Sequence, residues 1–407
     1  MSPAMQPRRP TRPAIRLALL AALLAVPGCG ASTPEPPSAS DGLAYLLPTS
    51  EGGTDLALVR LSDGSARMLT ETPTVSKGNL LWSPAVQRLV FTQPLPDAPP
   101  GSSRIMLFDI RDGSIESASE RVGAVELDVS ISPDGRRLVY VFETLEGGGF
   151  VKILRLMTSG ESAAGAPLRG TVLRRPRLSP NGSDVVAEVR ARNKPSGIVL
   201  LLPDGGQRPI VDDGSHRDGR PRFSRGGETI YFERAPFERP RQRERRIRAG
   251  VPGPLGGGDV CGVDVETLAV RCIAASEDAQ EHGIEPSPTR DEVAFVRRRP
   301  GGEAVEVVLA DASGEKVQVL ATVSAEDAGS LSWSPDGERL AFVSGSVSGS
   351  DSGSDSGSGS ESGDAAPDGD PSLVTRITVI DRTGRVLLEL PGFAPTWAPP
   401  VEAPAAP

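Results

Sequence analysis

The chain of 407 residues carries 44 lysines and arginines against 53 aspartates and glutamates, a net charge of −9, with two histidines, three cysteines and 4% aromatic residues. No long stretch repeats its apolar residues at a helical period, which excludes a helical solenoid. Alternating β-branched runs punctuated by glycine and proline define an all-β chain instead.

At the N-terminus, Arg8, Arg9, Arg12 and Arg16 precede a short apolar segment, residues 17–26. Ten residues are too few to span a bilayer as a helix, so the pattern reads as a signal peptide. Val26-Pro27-Gly28-Cys29 resembles a lipobox, in which the cysteine is lipidated and becomes the new N-terminus. Residues 1–28 are therefore expected to be a lipoprotein signal, and 29–41 a lipidated Cys29 followed by a Pro/Ser-rich tether without apolar periodicity. Gly30 stands after the cysteine where an aspartate would retain a lipoprotein at the inner membrane, so an outer-membrane location is expected, facing the periplasm or the cell surface.

From residue 42 a unit begins to repeat. Trp333-Ser334-Pro335-Asp336-Gly337 followed by Leu340-Ala341-Phe342-Val343 reads as strand, tight turn, strand, with proline, aspartate and glycine each suited to its turn position. Variants occur at Ser83, Ser132, Ser179, Ser224 and Ser287, at intervals of 49, 47, 45, 63 and 47 residues. A period in the high forties, one four-stranded all-β unit per period, is the signature of a β-propeller. We label the strands A to D: A leads into the Ser-Pro-Asp-Gly turn, B follows it, and C closes onto D through a hairpin such as Arg382-Thr383-Gly384. Seven B strands can be counted, with six blades as the alternative. The first B strand lacks its own A strand, and the last A strand, ending at Trp397, lacks a following B. Together they make one blade from both chain ends, which closes the ring and removes its open edges. The propeller is expected over 42–398, with a tail at 399–407.

The repeated Ser-Pro-Asp-Gly with Leu-Ala-Phe or its equivalents resembles the Pro-Asp repeat of TolB-type propellers, relatives of the WD-repeat propellers. That resemblance implies an envelope propeller that binds other proteins. The N-terminal α/β lobe of the translocation protein is absent from this sequence.

Cys261 and Cys272 remain after Cys29 is assigned to lipid. A hairpin turning at Glu266-Thr267 sets them directly opposite on paired strands, close enough for a disulfide in an oxidising compartment. His216 and His282 are read into D–A loops of consecutive blades, where with neighbouring carboxylates they are weak candidates for a metal site. The turn acids Asp134 and Asp336 have the spacing of a structural repeat, and a turn-forming role accounts for them. No nucleophile elbow, zinc-protease motif or phosphate loop occurs, so no catalytic residue and no cofactor are expected.

Two insertions explain the longest units. Residues 235–258 hold Arg239, Arg241, Arg243, Arg245, Arg246 and Arg248, and 345–371 is a Ser/Gly/Asp tract without a basic residue. Both are expected to lack regular structure. The arginines are candidates for binding an acidic partner or anionic lipid. The irregular B–C and D–A connections share one face, on which binding is expected, and the A–B turn face is expected to be inert. The sequence thus reads as a monomeric, lipid-anchored envelope propeller acting as a non-catalytic scaffold for an unidentified envelope protein, without nucleic acid. The alternative is a carbohydrate- or peptide-processing propeller enzyme with a His/carboxylate metal site.

Overall fold

The structure, a computed structural model, describes residues 42–95, 103–118, 124–144, 149–158, 160–166, 170–202, 206–239, 241, 245, 248, 258–276, 279–299, 304–324, 327–345 and 375–397. Cys29, the signal and tether, the acidic tract beyond Gly345 up to 371, and the tail 399–407 lie outside the described residues.

Seven antiparallel four-stranded sheets stand in a ring. Blade 1 is stitched from both ends: its A strand, Phe393–Trp397, pairs with its B strand, Gly42–Pro48, with Trp397 opposite Leu43 and Thr396 opposite Ala44. Strands C and D, Thr54–Arg60 and Ala66–Met68, complete it. The count is seven, and the alternative of six does not hold. The A strands touch one another in an unbroken circuit, so they are innermost and surround the axis.

The core is divided into slabs between sheets rather than gathered at one centre. One slab joins blades 6 and 7 through Val307, Leu309, Trp333, Leu340 and Phe342, and equivalent slabs fill each of the other interfaces, including that between blades 7 and 1. Each B strand is covered by a neighbour on both faces. Its residues therefore read as a continuous apolar run, such as Leu340, Ala341 and Phe342, all at most 1% exposed.

The Ser-Pro-Asp-Gly turns show why those residues recur. Ser334 Oγ donates to Asp336 Oδ1 (2.6 Å) and accepts from Arg339 N (2.9 Å), while Asp336 accepts from Glu338 N (3.0 Å). Ser132 with Asp134, and Ser179 with Asn181, repeat the pattern. Gly135 has φ 67°, and a Cβ there would collide with the ring of Pro84 in the preceding turn. Glycine thus permits both the left-handed backbone and the overlap of successive turns around the ring.

Every innermost strand also carries a bulge. The residue four places before the turn serine, or its equivalent, has a left-handed backbone in all seven blades: Asn79, Asp128, Arg175, Arg220, Gly283, Ser330 and Ala394. The register with strand B slips at each of these points.

Two expectations need correction. The histidines are not in loops: His216 opens the A strand of blade 5 (His216–Phe223), and His282 lies within that of blade 6 (Gln280–Pro286). An innermost strand faces a polar channel on one side, so it lacks the apolar alternation that would have identified it. The basic insertion is not wholly irregular either. Arg241, Arg245 and Arg248 have helical backbone and are exposed. Their spacing matches a helical turn, and the run between Pro240 and Gly250 contains good helix formers with no internal breaker. No helix among the described residues is long and apolar enough to cross a membrane.

Candidate functional site

The chemistry-bearing side chains of the ring converge on the channel wall formed by blades 4, 5 and 6. The A strand of blade 4 is Thr171–Leu178, with Arg175 at its bulge and Arg177 two residows short of the turn serine. Blade 5 repeats this with Arg220 and Arg222, and blade 6 places Gly283 and Glu285 at the same two positions. Arg-Pro-Arg therefore occurs twice at equivalent positions, 175–177 and 220–222.

Three carboxylates here hold the bulges of the next blade. Asp128 Oδ2 accepts from Arg175 N (3.0 Å), Glu188 Oε2 from Arg220 N (3.4 Å), and Glu233 Oε1 from Gly283 N (2.8 Å). The same acids pair with guanidinium groups: Glu188 with Arg175 at 3.0 Å and with Arg190, and Glu233 with Arg220 at 3.6 Å. Glu285 pairs with Arg222 at 3.5 Å. Five guanidinium groups, of Arg175, Arg177, Arg190, Arg220 and Arg222, thus share four carboxylates.

Arg177 is the one left over. Its guanidinium donates to the adjacent Pro176 carbonyl at 3.0 Å and feels the charges of Glu285 and Asp128, although no close ion pair joins it to either among the described residues. Burial, and then the neighbouring Arg222, push its guanidinium down to about 9. Burial pushes Glu285 up from the usual carboxylate range, against the pull of Arg222 and Arg177. Beside Arg222 and Glu285 a recess of about 80 Å³ opens, bounded also by Arg220, Glu233, Gly283 and Ser330. It exists because blades 6 and 7 place glycine and serine at the bulge, where blades 4 and 5 place arginine.

The residues singled out in the sequence fall elsewhere. Cys261 and Cys272 sit opposite each other on strands C and D of blade 5 and are disulfide-bonded. Arg239, Arg241, Arg245 and Arg248 are exposed on the B–C connection of that blade, and Arg243 and Arg246 lie outside the described residues. His216 Nδ1 lies 2.8 Å from Asp213 Oδ2 and 2.9 Å from Ser215 Oγ. Serine and aspartate thus meet the same ring nitrogen, whereas a nucleophile and its orienting acid need opposite ones. Burial would raise Asp213, but the Ser215 backbone N–H and the His216 ring hold it well below the usual range. His216 and His282 occupy non-equivalent strand positions, eight and five residues before their turn serines. No group of three or more His, Cys, Asp or Glu that could hold a metal occurs among the described residues. The acids Asp134 and Asp336 are used within their turns. Trp82, Trp333 and Trp397 are buried between blades rather than lining a ligand cage.

The channel arginines were the residues missed, and the duplicated Arg-Pro-Arg was the signal that could have found them. They stand two and four residues from the A–B turns, toward the face expected to be inert.

No protein-family description matches the chain, and no curated protein matches it. Many solved structures share its fold. TolB from Acinetobacter baumannii is 13% identical with a TM-score of 0.50, over 91% of this chain and 88% of that one. An oligogalacturonate lyase in complex with manganese is 15% identical with a TM-score of 0.56, over 84% of each chain. A puromycin hydrolase is 16% identical with a TM-score of 0.57, over 88% of this chain and 53% of that one, so this chain spans about half of it. What they share with it is the β-propeller fold.

Proposed function

We propose that this protein is a lipid-anchored propeller of the cell envelope that binds a partner protein without performing chemistry on it. The observation that carries the reading is the channel wall of blades 4 to 6, where two Arg-Pro-Arg segments place Arg175, Arg177, Arg220 and Arg222 at equivalent positions on rigid innermost strands. No nucleophile paired with a base accompanies it among the described residues. Such a wall recognises charge and holds it in place, which suits binding. The exposed arginines 239, 241, 245 and 248 add a second basic surface on the same blade. The Arg-rich start, the short apolar segment and Cys29 support an envelope location, as does the propeller fold shared with TolB.

The test is in-cell photo-crosslinking from a benzoylphenylalanine placed at Ser330 in the channel or at Arg241 on the loop face, in wild-type and Cys29→Ser backgrounds. A discrete crosslinked partner, and release of the Cys29→Ser protein into the soluble envelope fraction, are expected. Crosslinks from neither position would overturn the scaffold, and salt-resistant membrane association of Cys29→Ser would overturn the lipid anchor.

A second reading draws on the fold shared with a manganese-bound lyase. In it His216, His282 and nearby carboxylates serve a metal-dependent propeller enzyme. A stoichiometric divalent metal in the purified protein, lost in His216→Ala or His282→Ala, would favour it.

A further inference from the structure

We propose that the propeller rests its A–B turn face on the phospholipid surface that carries its anchor, touching the lipid through a rim of apolar side chains. This adds a second membrane contact to the envelope protein described above and rests on the lipid anchor at Cys29.

The apolar side chains are distributed unevenly between the two faces. Among the described residues eleven large apolar side chains are exposed, and nine of them stand in C–D turns or in the first three residues of D strands. Met68, Ile115, Met157, Val270, Val317 and Val386 place one in every blade except blade 4, each between 39 and 63% exposed. Neighbouring strands run antiparallel, so the C–D turns emerge on the same face as the A–B turns. The opposite face holds only Phe150 and Val172. Single exposed apolar residues need no explanation, but chance would divide them between the faces. Strand pairing does not demand them either, since the D strand of blade 4 opens with Gln207 and Arg208.

The chain enters the ring on that same face. Gly42 pairs with Arg60 at the end of strand C, and Leu43 with Trp397 at the end of strand A. Thirteen residue steps separate Gly42 from Cys29 (42 − 29), about 45 Å at full stretch. Strands of seven or eight residues put the opposite face about 25 Å farther along the axis, and the chain would first have to round the outside of the ring. Anchor and apolar rim therefore reach the lipid together. Acids share the rim, Glu116 and Glu315 among them, so the contact rests on apolar area and not on charge. It orients the propeller without retaining it, and Cys29→Ser is still expected in the soluble fraction. The face from which the B–C connections leave then looks away from the lipid.

The test reads a bimane on an introduced cysteine, Val317→Cys on the rim or Arg241→Cys on the opposite face, in the lipidated full-length chain. Cys261 and Cys272 are bonded to each other and Cys29 carries the lipid, so the added thiol is the one that labels. In vesicles of phosphatidylethanolamine and phosphatidylglycerol with brominated acyl chains, quenching is expected to be several-fold stronger at Val317→Cys and to withstand concentrated sodium chloride. Equal quenching at both positions, the reverse order, or quenching abolished by salt would overturn the contact. Adding Ile115→Lys, Met157→Lys and Val386→Lys together should lower the Val317→Cys signal to the Arg241→Cys level without moving the melting temperature, since all three side chains are exposed. Undiminished quenching would mean that the tether alone brings this face close. If the triple change melts early, Met157→Lys alone, at the most exposed site, replaces it; a smaller drop is expected, and no drop would count against the proposal. A lipidated chain without quenching at Val317→Cys would sink the contact and leave the anchor standing, whereas mass spectrometry that finds no lipid on Cys29 would sink both.

Discussion

Single carboxylates do most of their work here by closing turns. Asp109, Asp311 and Asp381, at the ends of C strands, accept hydrogen bonds from the turn that follows. The Arg111 guanidinium holds Asp109 well below the usual range, the Ser313 hydroxyl lowers Asp311, and the Thr383 hydroxyl helps bring Asp381 to about 2. A carboxyl whose folded pKa is depressed contributes stability that is full above its unfolded pKa, roughly 4, and is lost as the pH falls through the folded value. The urea midpoint should therefore hold steady above pH 5 and fall between pH 4 and 2, and D109N should flatten part of that fall. Burial shifts Glu285 the other way, so its ionised form weakens the fold near neutral pH and E285Q should not steepen the acid limb. An acid limb unchanged in D109N would show that these turn contacts contribute little.

At the level of elements, the innermost strand is where the sequence was hardest to read. B strands declared themselves through unbroken apolar runs, the serine-to-serine interval gave the repeat, and counting the B strands pointed to seven blades with six as the alternative. The A strands have one polar side facing the axis, so His216-Arg217-Asp218 looked like loop. The bulges were hidden for a different reason: Asn, Asp, Arg, Gly, Ser and Ala all occupy the left-handed position, and no residue type marks it. What holds these strands to one another is partly indole chemistry. Trp397 Nε1 donates to Ser332 O at 2.8 Å and Trp333 Nε1 to Glu285 O at 3.1 Å, each across to the neighbouring A strand. Trp82 Nε1 is buried without such an acceptor. Trp397→Phe should therefore cost about 1 kcal/mol, the loss of one partly buried hydrogen bond. Trp82→Phe should cost less in the same urea titration, and equal losses would mean that the indole bonds are incidental.

For the molecule as a whole, closure matters more than any one blade. Removing the chain from residue 393 onward would strip the A strand from blade 1 and bare the edge of Gly42–Pro48, whose residues 43–46 are at most 5% exposed. An apolar strand with unpaired backbone groups recruits other chains. The truncated protein should lose its cooperative melt and self-associate in light scattering; a monodisperse monomer melting like the full chain would show that the stitched blade is dispensable. A perfectly repeating ring would present an incoming partner with seven indistinguishable azimuths. The two Arg-Pro-Arg strands abolish that degeneracy, and the exposed arginines of the B–C connection spring from blade 5, which also carries Arg220 and Arg222. Whatever docks along the axis by its negative charge is thereby keyed to one rotational setting, as a shaft is keyed to a hub.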